Sequence, residues 1–191
     1  MRIWTVGHST RTIDEFISLL KANEIEALAD VRAWLGSKRY PQFNKDALTE
    51  SLNAQGIRYE HFPELGGKRK TKPDSRNTAW RNASFRGYAD YTETEQFQKG
   101  IERLLDFSRN DGLGSRRNCD GWEAVTPCRI AIMCAEAVWW RCHRSLIADY
   151  LKARGVEVLH ILGPNKVEQH PYTPAARIVN GELSYEPDSL L

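Results

Sequence analysis

The amino-acid sequence predicts an α/β protein with an open, three-layer, mostly parallel sheet, helices on both faces and a C-terminal β-hairpin. Apolar strand-like segments alternate with amphipathic helix-like segments, an order that favours parallel strands joined by right-handed crossovers. Five such strands in 191 residues are too few for an eight-stranded barrel. Near the C-terminus, Asn180-Gly181 lies between alternating residues and suits a type I′ hairpin turn.

The predicted elements follow one another in a regular order. Strands are predicted at 2–9, from 26 to about 30–32, and at 57–62, 129–135 and 156–162, helices at 12–25, 44–56, 90–109 and 142–155, and the hairpin at 175–185. Thr12 and Glu15 have the spacing of a capping box, which places the first helix start. Gly56 and Gly155 are suited to end the second and last helices.

The chain is expected to form one domain over residues 1–191, with two long connections. A basic loop is predicted at about 66–87 and a Gly-rich insertion at about 110–127. The formal net charge is only +2, but residues 32–86 carry twelve Lys/Arg and five Asp/Glu, a local excess of +7. This excess favours an anionic small molecule or a nucleic acid as partner, although a solvated basic loop explains it equally well.

Several classes of protein are disfavoured by the same sequence. No apolar run approaches the ~20 residues of a membrane span, and the N-terminus lacks a secretory pattern, so a cytoplasmic protein with no membrane partner is expected. The four cysteines are separated by eight, five and seven residues. Because none forms a Cys-x2-Cys pair, neither a structural zinc site nor a disulfide is expected.

Polar residues follow four of the predicted strands. Ligands of open α/β sheets bind beyond the carboxyl ends of the strands. These ends carry Gly7-His8-Ser9, Asp30-Val31-Arg32, Glu64-Leu65-Gly66-Gly67 and Cys134-Ala135-Glu136, and the last predicted helix begins at Cys142-His143-Arg144. Because these stretches are distant in sequence but reach one edge of the sheet, we predict that they share a site, covered by the basic loop.

Each of these residues also has a purely structural explanation. His8 could be a strand-end histidine satisfied by backbone groups, and Asp30 and Arg32 could form a structural salt bridge. Gly66-Gly67 could only shape a turn, although it could also let backbone N–H groups approach a phosphate. Cys134, at the end of an apolar strand, is more often a small buried hydrophobe.

The Cys142-His143-Arg144 stretch has the most specific chemistry. A helix N-terminus lowers the pKa of a cysteine and favours the thiolate, which is the nucleophilic form. An adjacent arginine offers a planar fork for phosphate or carboxylate. The Cys-x5-Arg spacing of tyrosine phosphatases is absent, because the sixth residue after Cys134 is Trp140.

Six segments of the chain together resemble one known family. "TVGHSTRT", "ADVRAW…SKRYPQFN", "ELGGKR", "FRGYADY", "MCAEAVWWRCHRSLIADYL" and "HIL" are similar to the bacterial and archaeal domain-of-unknown-function family 488, over nearly the whole chain. The resemblance implies a cytoplasmic α/β domain and attaches no particular reaction to it. Its motif residues correspond to His8, Ser9, Asp30, Arg32, Gly66, Gly67, Arg69, Glu136, Cys142, His143 and Arg144. Leu35 stands where the family typically has proline, and the 110–127 stretch is longer than usual.

The first functional hypothesis is an enzyme, hydrolase or transferase by preference, acting on a phosphorylated or nucleotide-like substrate without a cofactor. Cys142 or His143 would be the nucleophile or general base. The acid/base or orienting groups would be Glu136, Asp30 and His8. The substrate-binding residues would be Arg144, Arg32, Ser9, Gly66, Gly67 and Arg69, with the basic loop.

Two alternatives belong to other classes. The first is a nucleic-acid-binding or modifying protein, in which the basic segment follows the backbone and Trp80, Phe85 and Tyr88 stack on bases. The second is a mononuclear metal protein with ligands His8, Cys134, Cys142 and His143.

Overall fold

A six-stranded sheet forms the centre of the protein. The structure is a computed structural model and describes residues 1–109 and 128–187. The strands are β1 Arg2–Gly7, β2 Ala27–Asp30, β3 Arg58–His61, β4 Ile130–Cys134, β5 Glu157–Gly163 and β6 Lys166–Gln169. They are arranged in the order β3-β2-β4-β1-β5-β6, and all neighbours are parallel except β5 and β6. The mostly parallel sheet of the prediction is therefore confirmed.

Helices cover both faces of this sheet, as predicted. They are α1 Ile13–Ala22, α2 Lys45–Asn53, α3 Ala83–Thr92, α4 Glu95–Arg109 and α5 Arg144–Ala153. Helices α1 and α2 pack on one face around Phe16, Leu28 and Met133, while α3, α4 and α5 pack on the other around Ala29, Ile132 and Leu146. The second face is called the α5 face below.

Local sequence signals explain where the elements begin and turn. The capping box is present: the Thr12 hydroxyl accepts from the Glu15 N–H, and the Glu15 carboxylate accepts from the Thr12 N–H. The C-terminal hairpin is also present, with β7 Arg177–Val179 paired to β8 Glu182–Ser184. Asn180 and Gly181 both have positive φ, as a type I′ turn requires.

Two of the predicted bounds are wrong, whereas the second strand ends at Asp30, as predicted. The basic loop does not extend to 87, because Asn82 caps helix α3 by accepting from the N–H groups of Ser84 and Phe85. The single helix predicted at 90–109 begins only at Glu95, after a break where the Thr94 hydroxyl accepts from the Phe97 N–H.

One strand of the sheet was not predicted. Strand β6 was missed because its four residues are all exposed and show no apolar alternation. The insertion predicted at 110–127 lies outside the described residues. Within the described ranges, no helix has the length and apolar character needed to cross a bilayer.

The strand order brings three strand ends to one place. Strand β4 lies between β1 and β2, with Gly7 opposite Cys134 and Asp30 opposite Met133. The first two strands are therefore the direct neighbours of the strand that ends at Cys134. The chain moves outward from β1 through β2 to β3 and then returns to β4, which makes this edge a point of reversal where ligands commonly bind.

Candidate functional site

A cavity of about 300 Å3 opens at the carboxyl edge of the sheet. The end of β4 and the segment before α5 form one wall, and helix α3 with residues 67–68 forms another. The lining residues that bear on function are Arg32, Trp34, Gly67, Lys68, Phe85, Tyr88, Cys134, Glu136, Arg141, Cys142 and His143. The expected contribution of the basic loop is therefore present at Gly67 and Lys68.

Cys134, Cys142 and His143, here called the Cys/His cluster, meet on the wall of this cavity. Cys134 ends β4, Cys142 has extended backbone after a short 3-10 turn, and His143 is the N-cap residue of α5. One ligand atom from each lies within 4.8 Å of the other two, so these three residues could hold a metal ion. The Cys142 Sγ lies 3.6 Å from His143 Nδ1, and His143 Nε2 lies 3.1 Å from the Val31 carbonyl oxygen.

The two sulfurs differ in their affinity for a proton. Burial opposes ionisation of Cys142, but the Cys134 thiol that donates to its sulfur, together with His143 and Arg144, lowers the pKa of Cys142 well below its ordinary value. The hydrogen bond to Cys142, together with burial, raises the pKa of Cys134 well above its ordinary value. In the metal-free protein the pair therefore favours a Cys142 thiolate and a Cys134 thiol.

Cations surround the mouth of the cavity. The Lys68 ammonium lies 3.6 Å from the ring centroid of exposed Trp34. Among the described residues, neither Lys68 nor the exposed Arg141 side chain forms an ion pair, whereas Arg32 is neutralised by Asp30. The exposed Glu136 is the one carboxylate among the residues that line the cavity. The cavity therefore favours an anionic ligand.

His8 and Asp30 lie behind this cavity rather than in it. Asp30 receives the Arg32 Nε and Nη2 groups and the Tyr59 hydroxyl, so the structural salt bridge left open by the sequence is present. His8 stacks on Phe43 at 4.1 Å, on the α1 side of the sheet, and approaches the Arg32 guanidinium at 3.5 Å. Burial, reinforced by Arg32, lowers the pKa of His8 to about 4. The expectation of one shared pocket therefore holds for Arg32 but not for these two residues.

The glycines and Arg69 shape the wall between 63 and 70. Gly66 is buried against Ala33, and Gly67 lies against the His143 ring, where an added Cβ would be 2.9 Å from Nδ1. Arg69 donates to the carbonyl oxygens of Gly66, Pro63 and Glu64 and stacks on the Tyr91 ring. The guanidinium of Arg69 thus stabilises the turn and does not line the cavity.

Ser9 and Arg144, also predicted to bind substrate, do not line the cavity either. Ser9 has a φ of 53°, and its N–H donates to the Ala135 carbonyl. Arg144 is 1% exposed and donates to the Glu136 carbonyl and to the Thr5 hydroxyl. Arg144 is at the helix end that the sequence predicts, but its side chain is buried rather than exposed, because the first turn of α5 packs directly on the sheet.

A chain of buried polar side chains continues from Arg144 beneath α5. Thr5 contacts His160 Nδ1 at 2.7 Å, His160 Nε2 contacts His170 Nδ1 at 2.8 Å, and His170 Nε2 donates to Asp149 Oδ1 at 3.0 Å. Asp149 also accepts from the N–H and hydroxyl of Thr173 and from the Tyr185 hydroxyl. The sequence reasoning missed this chain; its only signal was polar residues at alternate positions of β1 and β5 on the α5 face.

The aromatic residues proposed to stack on bases are engaged within the protein. Tyr88 is 1% exposed and donates to the Leu65 carbonyl, so that its ring is not free to meet a base. Trp80 stacks on Phe85 at 4.8 Å and contacts the Tyr185 ring. Several cations of the basic segment are paired as well: Arg32 with Asp30, Lys72 with Glu93, and Arg76 with Glu186.

Fold and site define an α/β protein with an electropositive cavity at the carboxyl edge of a mostly parallel sheet and two cysteines and a histidine on its wall. The chain belongs to the family described as domain of unknown function DUF488, whose model matches residues 12–113 and 118–151. The resemblance drawn from the motifs is thereby confirmed. Comparison with curated proteins and with solved structures gives no match.

Proposed function

We propose that the protein is an enzyme that acts on a small anionic molecule, phosphorylated or nucleotide-like, bound beside the Cys/His cluster. One observation carries this proposal: the cavity wall joins a reactive Cys142–His143 pair to two cations, Lys68 and Arg141, that have no ion-pair partner among the described residues. Unpaired cations beside a nucleophilic sulfur and an imidazole are expected of a binding and reaction site.

The size and lining of the cavity indicate the shape of the ligand. A volume of about 300 Å3 is at the small end of ligand sites, close to a mononucleotide or a phosphorylated aromatic compound. Trp34 and Phe85 offer ring faces, while Lys68 and Arg141 offer charge at the mouth. A planar body with an anionic group would satisfy both.

The reaction that fits these groups is hydrolysis or group transfer. A cysteine sulfur can act as a nucleophile and an imidazole as a general base, or both can bind an electrophilic metal ion. Each of these roles suits attack on a phosphoryl or acyl centre. The hydrogen bond from His143 to Val31 fixes the ring beside the sulfur, as a reacting group requires.

Binding is the first measurement that tests the proposal. Nucleoside monophosphates and aromatic phosphates are titrated into the protein by calorimetry, and the same set is screened for turnover by chromatography. We expect Lys68→Glu and Arg141→Glu to weaken binding by about tenfold or more each, because each reverses one charge near the anion. Lys166→Glu on β6 is the matched control, since Lys166 is exposed and does not line the cavity.

Turnover separates reaction from binding. We expect His143→Gln to retain ligand binding and lose turnover, because Lys68 and Arg141 remain in place. If the three charge reversals weaken binding equally, the ligand is not held in this cavity and the proposal fails. Tight, steeply salt-dependent binding of DNA or RNA with no small-molecule ligand would instead favour the nucleic-acid alternative.

A further inference from the structure

We infer that Cys134, Cys142 and His143 are the protein ligands of a mononuclear zinc site whose fourth position opens into the cavity. The inference rests on the proposed function, since an open coordination position gives a bound anion or water a place to react. Three protein ligands with a free fourth position are the pattern of catalytic rather than structural zinc.

The separation of the first ligand pair agrees with zinc coordination. Zn–S and Zn–N bonds of about 2.3 and 2.1 Å at a tetrahedral angle place the two ligand atoms about 3.6 Å apart. Cys142 Sγ and His143 Nδ1 are 3.6 Å apart. All three ligand atoms lie within 4.8 Å of one another, so an ion between them needs a contraction of at most about 1 Å, which side-chain rotation can supply.

The orientation of His143 is that of a metal ligand. Its Nε2 lies 3.1 Å from the Val31 carbonyl, which can only accept, so Nε2 carries a proton, and in the neutral ring that binds a metal Nδ1 presents its lone pair toward Cys142. Metal-bound histidines commonly hold their second nitrogen against a carbonyl or carboxylate in this way. The Tyr88 ring, 5.0 Å away, packs against the imidazole and limits its rotation.

Gly67 limits how the His143 ring can move. A Cβ at position 67 would lie 2.9 Å from His143 Nδ1 and 3.3 Å from both Cγ and Cε1, which places it over the face of the ring. The backbone of Gly67 does not have positive φ, so conformation alone does not demand glycine here. Close packing on the imidazole gives this glycine a reason that its φ does not, because only glycine lets the backbone hold the ring beside the two sulfurs.

Ligand chemistry favours zinc over magnesium or calcium. Two sulfurs and one imidazole are soft and borderline donors, whereas magnesium and calcium take oxygen ligands. Two thiolates also balance the charge of a divalent cation. This lowers the desolvation cost of holding the ion at a buried site, where Cys134 and Cys142 are 8% and 3% exposed. His8, the fourth ligand suggested by the sequence, is excluded from this set because its ring stacks on Phe43.

The ion would be placed to act on an anion in the cavity. A zinc ion with an open position polarises a bound oxygen or lowers the pKa of a bound water. Lys68 and Arg141 lie around the mouth of the same cavity and would hold the rest of the substrate. Cys142 then acts as a ligand, and the reacting group is held by the metal.

Elemental analysis of chelator-free protein tests the inference directly. The protein is purified without a metal-affinity tag, and we expect about one zinc per chain. Cys134→Ser, Cys142→Ser and His143→Gln should each lose most of the bound zinc, and Gly67→Ala should weaken zinc binding in competition with a chromophoric chelator. Cys128→Ser is the matched control, because Cys128 is equally buried but contacts Arg58 far from the cluster.

Cobalt substitution gives a second readout that does not depend on activity. We expect thiolate-to-cobalt charge-transfer absorption in the wild-type protein and weaker absorption in either serine variant. Circular dichroism confirms that each variant is folded. Zinc well below one per chain in a folded protein with free thiols overturns the inference, as does equal zinc loss from Cys128→Ser. Stoichiometric iron or copper held by the same three residues overturns the choice of zinc.

The same samples separate this inference from the proposed function. Metal-free protein that still binds and turns over the anionic ligand refutes the zinc site and leaves the proposed function intact. Protein that holds zinc through the three residues, yet shows no ligand binding sensitive to Lys68→Glu, supports the zinc site and refutes the proposed function.

Discussion

His160 should make the protein less stable as the pH falls below about 6.5. Burial, together with His170 and Arg144, lowers the pKa of His160 in the folded protein to about 2, whereas an unfolded histidine titrates near 6.5. Between these values the unfolded chain binds a proton that the folded chain does not. The contribution of neutral His160 is thus fully present above about pH 6.5 and is lost progressively as the pH falls.

The expected size of this effect follows from the two pKa values. From pH 7 to pH 5 the folded state keeps His160 neutral while the unfolded state becomes mostly protonated, and the difference is about 2 kcal/mol in the free energy of unfolding. Among the described residues no carboxylate contacts the ring to balance a charge on it: Trp139 stacks on it at 4.3 Å, and Thr5 and His170 occupy both nitrogens.

Urea unfolding at pH 5, 6, 7 and 8 measures this contribution, with a chelator present so that loss of a metal has no part in it. His160→Gln removes the titrating group while keeping an amide that can both donate and accept. We expect the wild type to lose about 2 kcal/mol more than this variant between pH 7 and pH 5, and the two to change nearly in parallel between pH 7 and pH 8. Equal losses in the two proteins would refute the reasoning.

Three other predictions follow from buried contacts. Asp149→Asn should lower the free energy of unfolding by about 3 kcal/mol and the Tm by about 6–12 °C in calorimetry, because four donors lose a charged acceptor. The control Asp106→Asn, at an exposed position, should change the free energy of unfolding by less than about 0.5 kcal/mol. Gly7→Ala should destabilise by about 3 kcal/mol in urea unfolding, since its Cβ would collide with the Glu136 carbonyl, while Gly36→Ala, with open space, should not. Thiol titration of unfolded, unreduced, chelator-treated protein should find four free thiols, and two would contradict the reading that no disulfide forms.

The sheet could be predicted from the sequence because its signals are local. Buried parallel strands are short apolar runs, and helices such as α1 carry a capping box and an apolar face, so each element is recognisable without knowing its neighbours. The meeting of strand ends follows from the general geometry of parallel sheets rather than from any particular contact. That is why the sequence correctly placed Cys134, Cys142 and His143 together.

The side-chain environments could not be predicted, because they depend on contacts between distant residues. Arg144 looks like a polar helix start, yet the angle at which α5 packs buries it against Thr5. His8 and His143 follow neighbouring strands, but β1 and the α5 start direct them to opposite faces. A strand residue points to one face or the other with a period of two, so a one-residue difference in where a strand ends decides which pocket a side chain enters.

The central position of β4 explains why the Cys/His cluster is buried and still borders a cavity. β1 and β2 lie on either side of Cys134, and the chain that follows it adds to its cover. That chain is held on one side by Gly7, which admits the Glu136 carbonyl, and from beneath by Arg144, which donates to it. The remaining side is closed by residues 67–68 and the start of α3, which contribute ring faces and charge rather than reacting groups. Under the proposed function this outer wall selects the substrate, and changes there should alter which anion binds while leaving the cluster in place.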